Sequence, residues 1–420
     1  MYFLMIHLTP FLRFLLIWQF TVRAEVVCMN CTLDQYMGLS ALESWWRKYN
    51  HQIITIDSRI GCGVWDLLQF FLGKIGLDHR EVCYLSYNQK QVLRLAYGKM
   101  HAYYIDGFLY DYRKSFDVDT LEAITKKDTP PTYSWVKYRN KKIDPKYKLI
   151  VVFDATLLTK KQIKHLCSYG LPIILLQDTK LIPGDRSYTF FHDANIVLRQ
   201  VHPWYSNHPI VHFAHQMLLD APLKLGNYDG VNIIGKSKLN LYNMKSSNMI
   251  IALNDDTRMM INHMYREKVL SCKDSVTKVG ERLIVTKSMY DHILENSEES
   301  RVKVYLHKNV VGYVSKVNKH AQITRWVPIE FKLDEYAEPF EDISLDRYVL
   351  NHIDGVSKQI IPDDILETEY AYALTPDRAR YHTWDKVLLL MEPTEYEDDL
   401  QRSLLYTAIT RAEKFVNIVI

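Results

Sequence analysis

Cysteine is sparse in this chain: six residues in 420, too few and too scattered for the disulfide framework of a small secreted domain. Cys28 and Cys31 form one C-x-x-C with no second pair, so neither a zinc site nor dithiol chemistry is expected, and no metal site is assigned. A charge excess of one sign is also missing. The 52 Lys and Arg nearly balance 49 Asp and Glu, for a net charge of +3. Net charge therefore argues neither for nor against nucleic acid, and any DNA site has to be a local basic patch. There is no internal repeat at a fixed period and no low-complexity tract. What is present is a globular composition, 48% hydrophobic and 24% charged, over a length that suits two domains with small insertions.

A clean membrane-spanning run is lacking as well. Residues 2–22, YFLMIHLTPFLRFLLIWQFTV, are strongly apolar but interrupted by His7, Pro10 and Arg13, whereas a spanning helix needs about 20 apolar residues with few or no charges. Three readings stay open for this extension: translation beginning at Met29, a packed helix, or a secretory signal or anchor without the usual basic start. Membrane contact is expected only if that segment engages one. The protein is otherwise expected in the cytoplasm, the host's if it is viral.

From Thr32 onward, short apolar runs alternate with helix-like stretches. Strands are expected at Ile53–Ile56, Val82–Tyr87, Leu149–Phe153, Ile173–Leu176, Met249–Leu253, Val387–Met391 and Val416–Ile420. Such runs separated by helices indicate parallel sheets buried on both faces. The first helix opens on Thr32-Leu-Asp-Gln35, a capping-box pattern. Two stretches break the alternation: a polar, aromatic one from about residue 107 to 148, and short alternating strands from about 271 to 367, which suggest an inserted β-barrel.

The C-terminal end carries the strongest signal. Ala371-Tyr-Ala-Leu-Thr375, then WDKVLLL at Trp384–Leu390, then LLYTAITRAEK at Leu404–Lys414, resemble in order and spacing motifs V and VI of the RecD/Dda type of superfamily 1 DNA helicases. Weaker blocks follow the same order. Leu33-Asp-Gln35 resembles the adenine-reading Q motif, although Gln35 serves equally well as the capping-box partner. VCYLSYNQKQVLRLA resembles motif Ia, and IALNDDTRMMINHMYRE and VGERLIVTKSMY resemble segments of the second lobe. The resemblance covers about Thr32 to Ile420. It implies two RecA-like parallel-sheet lobes of the P-loop class, with a small hairpin insertion in the first and a small β-barrel in the second. The expected division is an extension at 1–28, a first lobe at 29–215 with its insertion at about 107–148, a second lobe at 216–270 plus 368–420, and the barrel at 271–367. Arg411 stands where the family's motif VI arginine reaches the γ-phosphate.

The chemistry that such a fold supports has requirements that can be checked one by one. A glycine-rich loop must offer backbone N–H groups to phosphate, then Lys for charge and Ser or Thr for Mg²⁺. The loop here reads Ser58-Arg-Ile-Gly61-Cys-Gly63-Val64-Trp65. Gly61 and Gly63 keep the turn, but Val64 occupies the Lys position and Trp65 the metal-hydroxyl position. After the strand KLIVV, the family's Asp-Glu pair becomes Phe153-Asp154, so at least one carboxylate is missing whichever way the register is set. Lys180 replaces the γ-phosphate-sensing Gln, Pro203 the motif IV arginine, and Asp377-Arg-Ala-Arg380-Tyr381 the His-Lys-x-Gln-Gly of motif V. Only Arg411 and Asp154 remain as residual catalytic groups. Phosphoryl transfer depends on positioning and electrostatics, so each loss costs orders of magnitude. No cofactor is expected, ATP and Mg²⁺ entering only if the site works unexpectedly.

Binding is the activity left. Residues 130–148 interleave Tyr133, Trp135, Tyr138 and Tyr147 with Lys137, Arg139 and further lysines, a pattern in which bases stack while cations neutralise phosphates. A solvated hairpin with its aromatics tucked inward fits equally. Lys90, Thr375 and Arg378 match family positions near the DNA track. The resulting expectation is a degenerate phage or bacterial helicase homologue without ATPase activity, and with no small-molecule substrate. It would act as a single-stranded-DNA-binding or scaffolding accessory in DNA replication, recombination or repair. The alternatives are a structural subunit paired with an active helicase or another replication protein, and an ATP-dependent 5'-3' DNA helicase with an unorthodox site.

Overall fold

Six of the apolar runs between Ile53 and Leu198 hydrogen-bond into one sheet whose strands are all parallel. In spatial order these are His101–Tyr104, Val82–Ser86, Leu149–Val152, Ile173–Gln177, Ile53–Ser58 and Ile196–Leu198. The computed structural model describes residues 31–48, 53–116, 133–140, 142–182, 193–219, 222–272, 278–295, 303–318, 326–334, 336, 338–346, 365–392 and 398–420. Both faces of this sheet are covered, which is why its strands are apolar throughout and not alternating. Leu149, Ile150, Val151 and Val152 are all fully buried.

A second six-stranded sheet is ordered Ala373–Leu374, Met249–Ala252, Trp384–Leu390, Ala412–Val419, Val231–Ile234 and Gly226–Tyr228. It is parallel except for the Gly226–Tyr228 edge, which runs antiparallel to Val231–Ile234. The helix Asp398–Ile409 covers it together with Pro209–Met217, whose Ile210, Ala214 and Met217 are buried in the same core as Leu404 and Ile409. The two-lobed architecture is thus present in the strand pairings themselves.

The third sheet runs Ile365–Leu366, Phe340–Asp346, Trp326–Leu333, Val311–Val317, Arg282–Val285 and Thr368–Tyr370. Its two edge strands, Ile365–Leu366 and Thr368–Tyr370, are consecutive in the chain with only Glu367 between them, so the sheet curls until its edges nearly meet. This is the barrel. The first-lobe insertion is the antiparallel hairpin Tyr110–Phe116 with Tyr133–Arg139.

All seven strands expected from the sequence are present. The pattern missed His101–Tyr104, Ile196–Leu198, Gly226–Tyr228, Val231–Ile234 and Ala373–Leu374. These are two to four residues long, and several carry polar side chains, too little for a periodicity to stand out. The extension at residues 1–28, whose three readings were left open, lies outside the described residues. Among the described residues, no helix is long and apolar enough to cross a membrane.

Candidate nucleotide and nucleic-acid site

The loop after the first strand takes the turn that Gly61 and Gly63 allow. Both are left-handed, at φ +77° and +70°, a region that costs other residues about 1 kcal/mol or more. Gly63 also leaves room for a neighbour: a Cβ there would lie 2.4 Å from Gln35 Nε2 and 2.8 Å from the His202 ring. Of the two roles the sequence offered for Gln35, the structure shows the capping-box one, and it adds a bond to the loop. Its Oε1 accepts the Thr32 N–H at 2.9 Å, closing the capping box, and its Nε2 donates to the Gly63 carbonyl at 2.8 Å.

Two backbone donors of the loop are spent inside the protein. The Ile60 N–H donates to the Tyr406 hydroxyl of the second lobe at 2.9 Å, and the Cys62 N–H to the Arg59 carbonyl at 3.1 Å. A Cβ on Gly61 would meet the Val211 side chain at 2.6 Å, so an apolar residue packs directly against the loop at that glycine. Pro203 opens a short, exposed 3₁₀ turn nearby, with no charge to offer.

Val64 and Trp65 begin the helix Val64–Ile75 and pack against the first lobe's core. The Trp65 indole stacks on Phe153, with centroids 6.2 Å apart and planes at 30°, and on His79 at 6.1 Å and 18°. Tyr84 completes the group, 6.0 Å from Trp65 and 6.4 Å from Phe153. Its hydroxyl bonds His79 Nδ1 at 2.5 Å. Burial pushes His79 down and the Tyr84 phenol up, so both stay neutral near pH 7. Hydroxyl and carboxylate oxygens are what Mg²⁺ requires, and this corner presents aromatic carbon instead. ATP with Mg²⁺ does not fit these residues. Among the described residues no cluster of three or more His, Cys, Asp or Glu could hold a metal.

Asp154 follows in a left-handed conformation, φ +51°, heading the 3₁₀ turn Ala155–Leu157. Its charge acts on two buried guanidinium groups of the second lobe, Arg380 and Arg411. Arg411 is 8% exposed and fully engaged within its own lobe. It donates to the carbonyls of Thr407 at 3.1 Å, Arg380 at 2.6 Å and His382 at 3.4 Å, and to the Thr410 hydroxyl at 3.0 Å. Burial lowers its pKa to about 10, which leaves it charged at neutral pH. The Lys180 N–H donates to Asp178 at 3.0 Å.

The two cations matched to the DNA track, Lys90 and Arg378, are tied to carboxylates. Lys90 bonds Glu413 at 3.1 Å and the Thr383 carbonyl at 2.9 Å, and Arg94 shares Glu413 at 3.1 Å. Burial pushes the Glu413 carboxyl up, but the Thr383 hydroxyl and the two cations outweigh it and hold it at about 2. Arg378 and Arg258 share Glu369, at 2.7 and 2.8 Å. Thr375 is buried at the start of the helix Pro376–Ala379. Beside Lys90 lies a cleft of about 550 Å³ lined by Arg94, Tyr97, Arg282, Asp334 and Trp384 among others. In the hairpin, the backbones of Trp135 and Lys137 pair with Lys114 and Tyr112. Tyr138 is exposed and Arg139 half-buried.

Residues 370–419 match the UvrD-like helicase C-terminal domain. They span the strands around Ala373–Leu374, Trp384–Leu390 and Ala412–Val419, with Arg411 at the turn before the last. The C-terminal part of the chain is thus similar to that of UvrD-like helicases. Three solved structures resemble its overall course. A Pif1 structure concerned with DNA unwinding at forked duplex DNA shares 11% identity over 93% of this chain and 92% of that one, with a TM-score of 0.47. Bacteroides Pif1 with ADP-AlF3 and single-stranded DNA shares 12% over 90% and 91%, at 0.43. Candida albicans Pif1 shares 11% over 93% and 94%, at 0.38. No match was found among proteins of curated function.

The structure also brings together residues that the sequence did not single out. Asp178 accepts from the Tyr406 hydroxyl across the lobes at 2.7 Å, and burial raises its pKa to about 6. Asp57 accepts from the Thr179 N–H at 2.9 Å, the Thr179 hydroxyl at 2.8 Å and the Arg199 guanidinium. Arg380 crosses to the first lobe. An arginine in the motif V Gln position was the available signal.

Proposed function

We propose that this protein is a helicase homologue without ATPase activity that serves as a single-stranded-DNA-binding or scaffolding accessory in DNA replication, recombination or repair. One observation carries the first half of this reading: Trp65 and Phe153, which stand at the hydroxyl and carboxylate positions of a Mg²⁺ site, stack on each other. A metal-bridged triphosphate has neither ligands nor space there. Without hydrolysis the lobes cannot be driven through a cycle, so the reading includes no translocation. Binding rests on the exposed Tyr138 and on the basic, aromatic composition of the hairpin, which offers base stacking and phosphate neutralisation.

A second reading, a structural subunit paired with an active helicase, is favoured by a different observation. Lys90, Arg94, Arg258 and Arg378 are all paired with Glu413 or Glu369, which lowers the positive potential available to phosphates. Both readings are tested on one purified sample. A fluorescent ATP analogue with Mg²⁺ is expected to give no binding signal. A labelled oligonucleotide is expected to bind with an affinity that falls steeply with salt. Saturable nucleotide binding would remove the first half of the proposal. No oligonucleotide binding at low salt, with stoichiometric capture of an active helicase, would move the second half to the paired-subunit reading.

A further inference from the structure

In an ATP-driven two-lobed enzyme the ligand itself draws the lobes together. Here the chain does it with its own groups, and one of them is a charged side chain from the second lobe. Arg380 follows the helix Pro376–Ala379 and is 4% exposed. Its guanidinium reaches the Ile182 carbonyl and, at 2.5 Å, the Thr156 hydroxyl, both from first-lobe segments, with Asp154 close by. Ile182 is gripped on every side: its N–H donates to the Thr407 hydroxyl at 2.9 Å, and its side chain is buried in the second lobe's core. Ile60, from the loop that would cradle phosphate, is held in the same way. Its N–H goes to Tyr406, its carbonyl to His215 at 2.9 Å, and its side chain packs against that core.

We propose that Arg380 is a built-in closing element, which holds the two lobes shut without nucleotide and gives the protein one fixed shape. A guanidinium suits the task because it stays charged when buried and donates in two directions at once. It supplies to Asp154, Thr156 and Ile182 the positive charge and donors that a bound metal and nucleotide would otherwise supply to a cleft. This inference rests on the reading of a site that no longer takes ATP.

Two amides report on closure directly, since the N–H groups of Ile60 and Ile182 both donate across the cleft. Two others serve as controls within single lobes: Ile150, which donates to the Pro172 carbonyl, and Val416, which donates to Gly230. In hydrogen exchange on the full chain without nucleotide, Ile60 and Ile182 are expected to be protected. Arg380→Ala is expected to speed their exchange at least tenfold and to leave Ile150 and Val416 unchanged. Thr156→Val, which removes one acceptor and strands no charge, is expected to speed it several-fold and decides the matter should the first variant unfold. Fast exchange of Ile60 and Ile182 in the unmodified protein, or no change in Thr156→Val and in any folded Arg380→Ala, overturns the proposal. Repeating the measurement with ATP analogue and Mg²⁺ separates the two readings. An open cleft that ignores nucleotide ends the closing role alone, whereas protection that appears only with nucleotide ends both.

Discussion

The rings of Trp65 and Phe153 stack 6.2 Å apart, although 88 positions separate them in the chain. Phe153 directly follows the parallel strand Leu149–Val152, and Trp65 stands in the first turn of the helix that follows the parallel strand Ile53–Ser58. Parallel sheets bring such turns together at the carboxyl ends of the strands, where α/β proteins place their ligands. Two oxygen-bearing side chains would make a cation site there. Two aromatic rings make a small hydrophobic core, and Tyr84 and His79 extend it.

That core predicts the outcome of a simple repair. The double variant Val64→Lys with Trp65→Thr restores the loop's missing charge and hydroxyl but leaves Phe153 and Pro203 in place. Phosphate release from ATP should stay at the background of the unmodified protein. Urea unfolding should show a loss on the order of 3 kcal/mol, because the indole leaves a packed cluster. Measurable turnover would mean that the remaining groups suffice.

Gly63 and Gly76 offer a matched pair. Both are left-handed, at φ +70° and +69°, but a Cβ on Gly76 would meet nothing within 4 Å, whereas on Gly63 it would strike Gln35 and His202. Gln35 cannot step aside, because it is anchored to Thr32 and to Gly63 itself. Gly76→Ala should cost about 1 kcal/mol, and Gly63→Ala about 2–4 kcal/mol. Equal losses in thermal unfolding would show that the loop is looser than its contacts imply.

Asp178 should leave a signature in the pH dependence of stability. Its folded pKa of about 6 lies above the ordinary carboxylate value of 3.8, so the folded state holds the proton more tightly than the unfolded one. The stabilisation this gives is complete below pH 4 and is lost as pH rises through 6. Asp178→Asn has no proton to lose. Between pH 4 and pH 7.5 its stability should therefore gain on the unmodified protein by on the order of 2 kcal/mol. A difference between the two that stays constant with pH would count against the shift.

Glu413 neutralises Lys90 and Arg94. Glu413→Gln should release both cations while keeping an acceptor for the Thr383 hydroxyl. If they lie along a nucleic-acid path, oligonucleotide affinity at low salt should rise roughly three- to tenfold and its salt slope steepen by about one to two counterions. An unchanged affinity would point to protein partners for this surface.

Much of the architecture was legible before any coordinates. Val82–Ser86, Leu149–Val152 and Met249–Ala252 announce themselves as uninterrupted apolar strands, since a strand buried on both faces can afford few polar residues. The barrel was legible too, from alternating runs such as Val311–Val317. The short strands were not. Ala373–Leu374 and Ile196–Leu198 exist because neighbouring strands offer them a ladder, and two or three residues carry no period of their own.

For the site, the sequence by itself determined which chemical groups are available. Valine at 64, tryptophan at 65, phenylalanine at 153 and proline at 203 lack the charge and oxygen that phosphate and metal require, whatever the fold does with them. Only the tertiary structure decided where the remaining charges go. Arg380 lies 224 residues from Thr156, and Lys90 lies 323 from Glu413. No local pattern couples positions so far apart, because their meeting depends on how two lobes dock. Residue types fixed what the corner between Trp65 and Phe153 cannot do; the first lobe's parallel sheet made those rings a packed core, and the docking of the lobes closed the cleft beside it with the protein's own side chains.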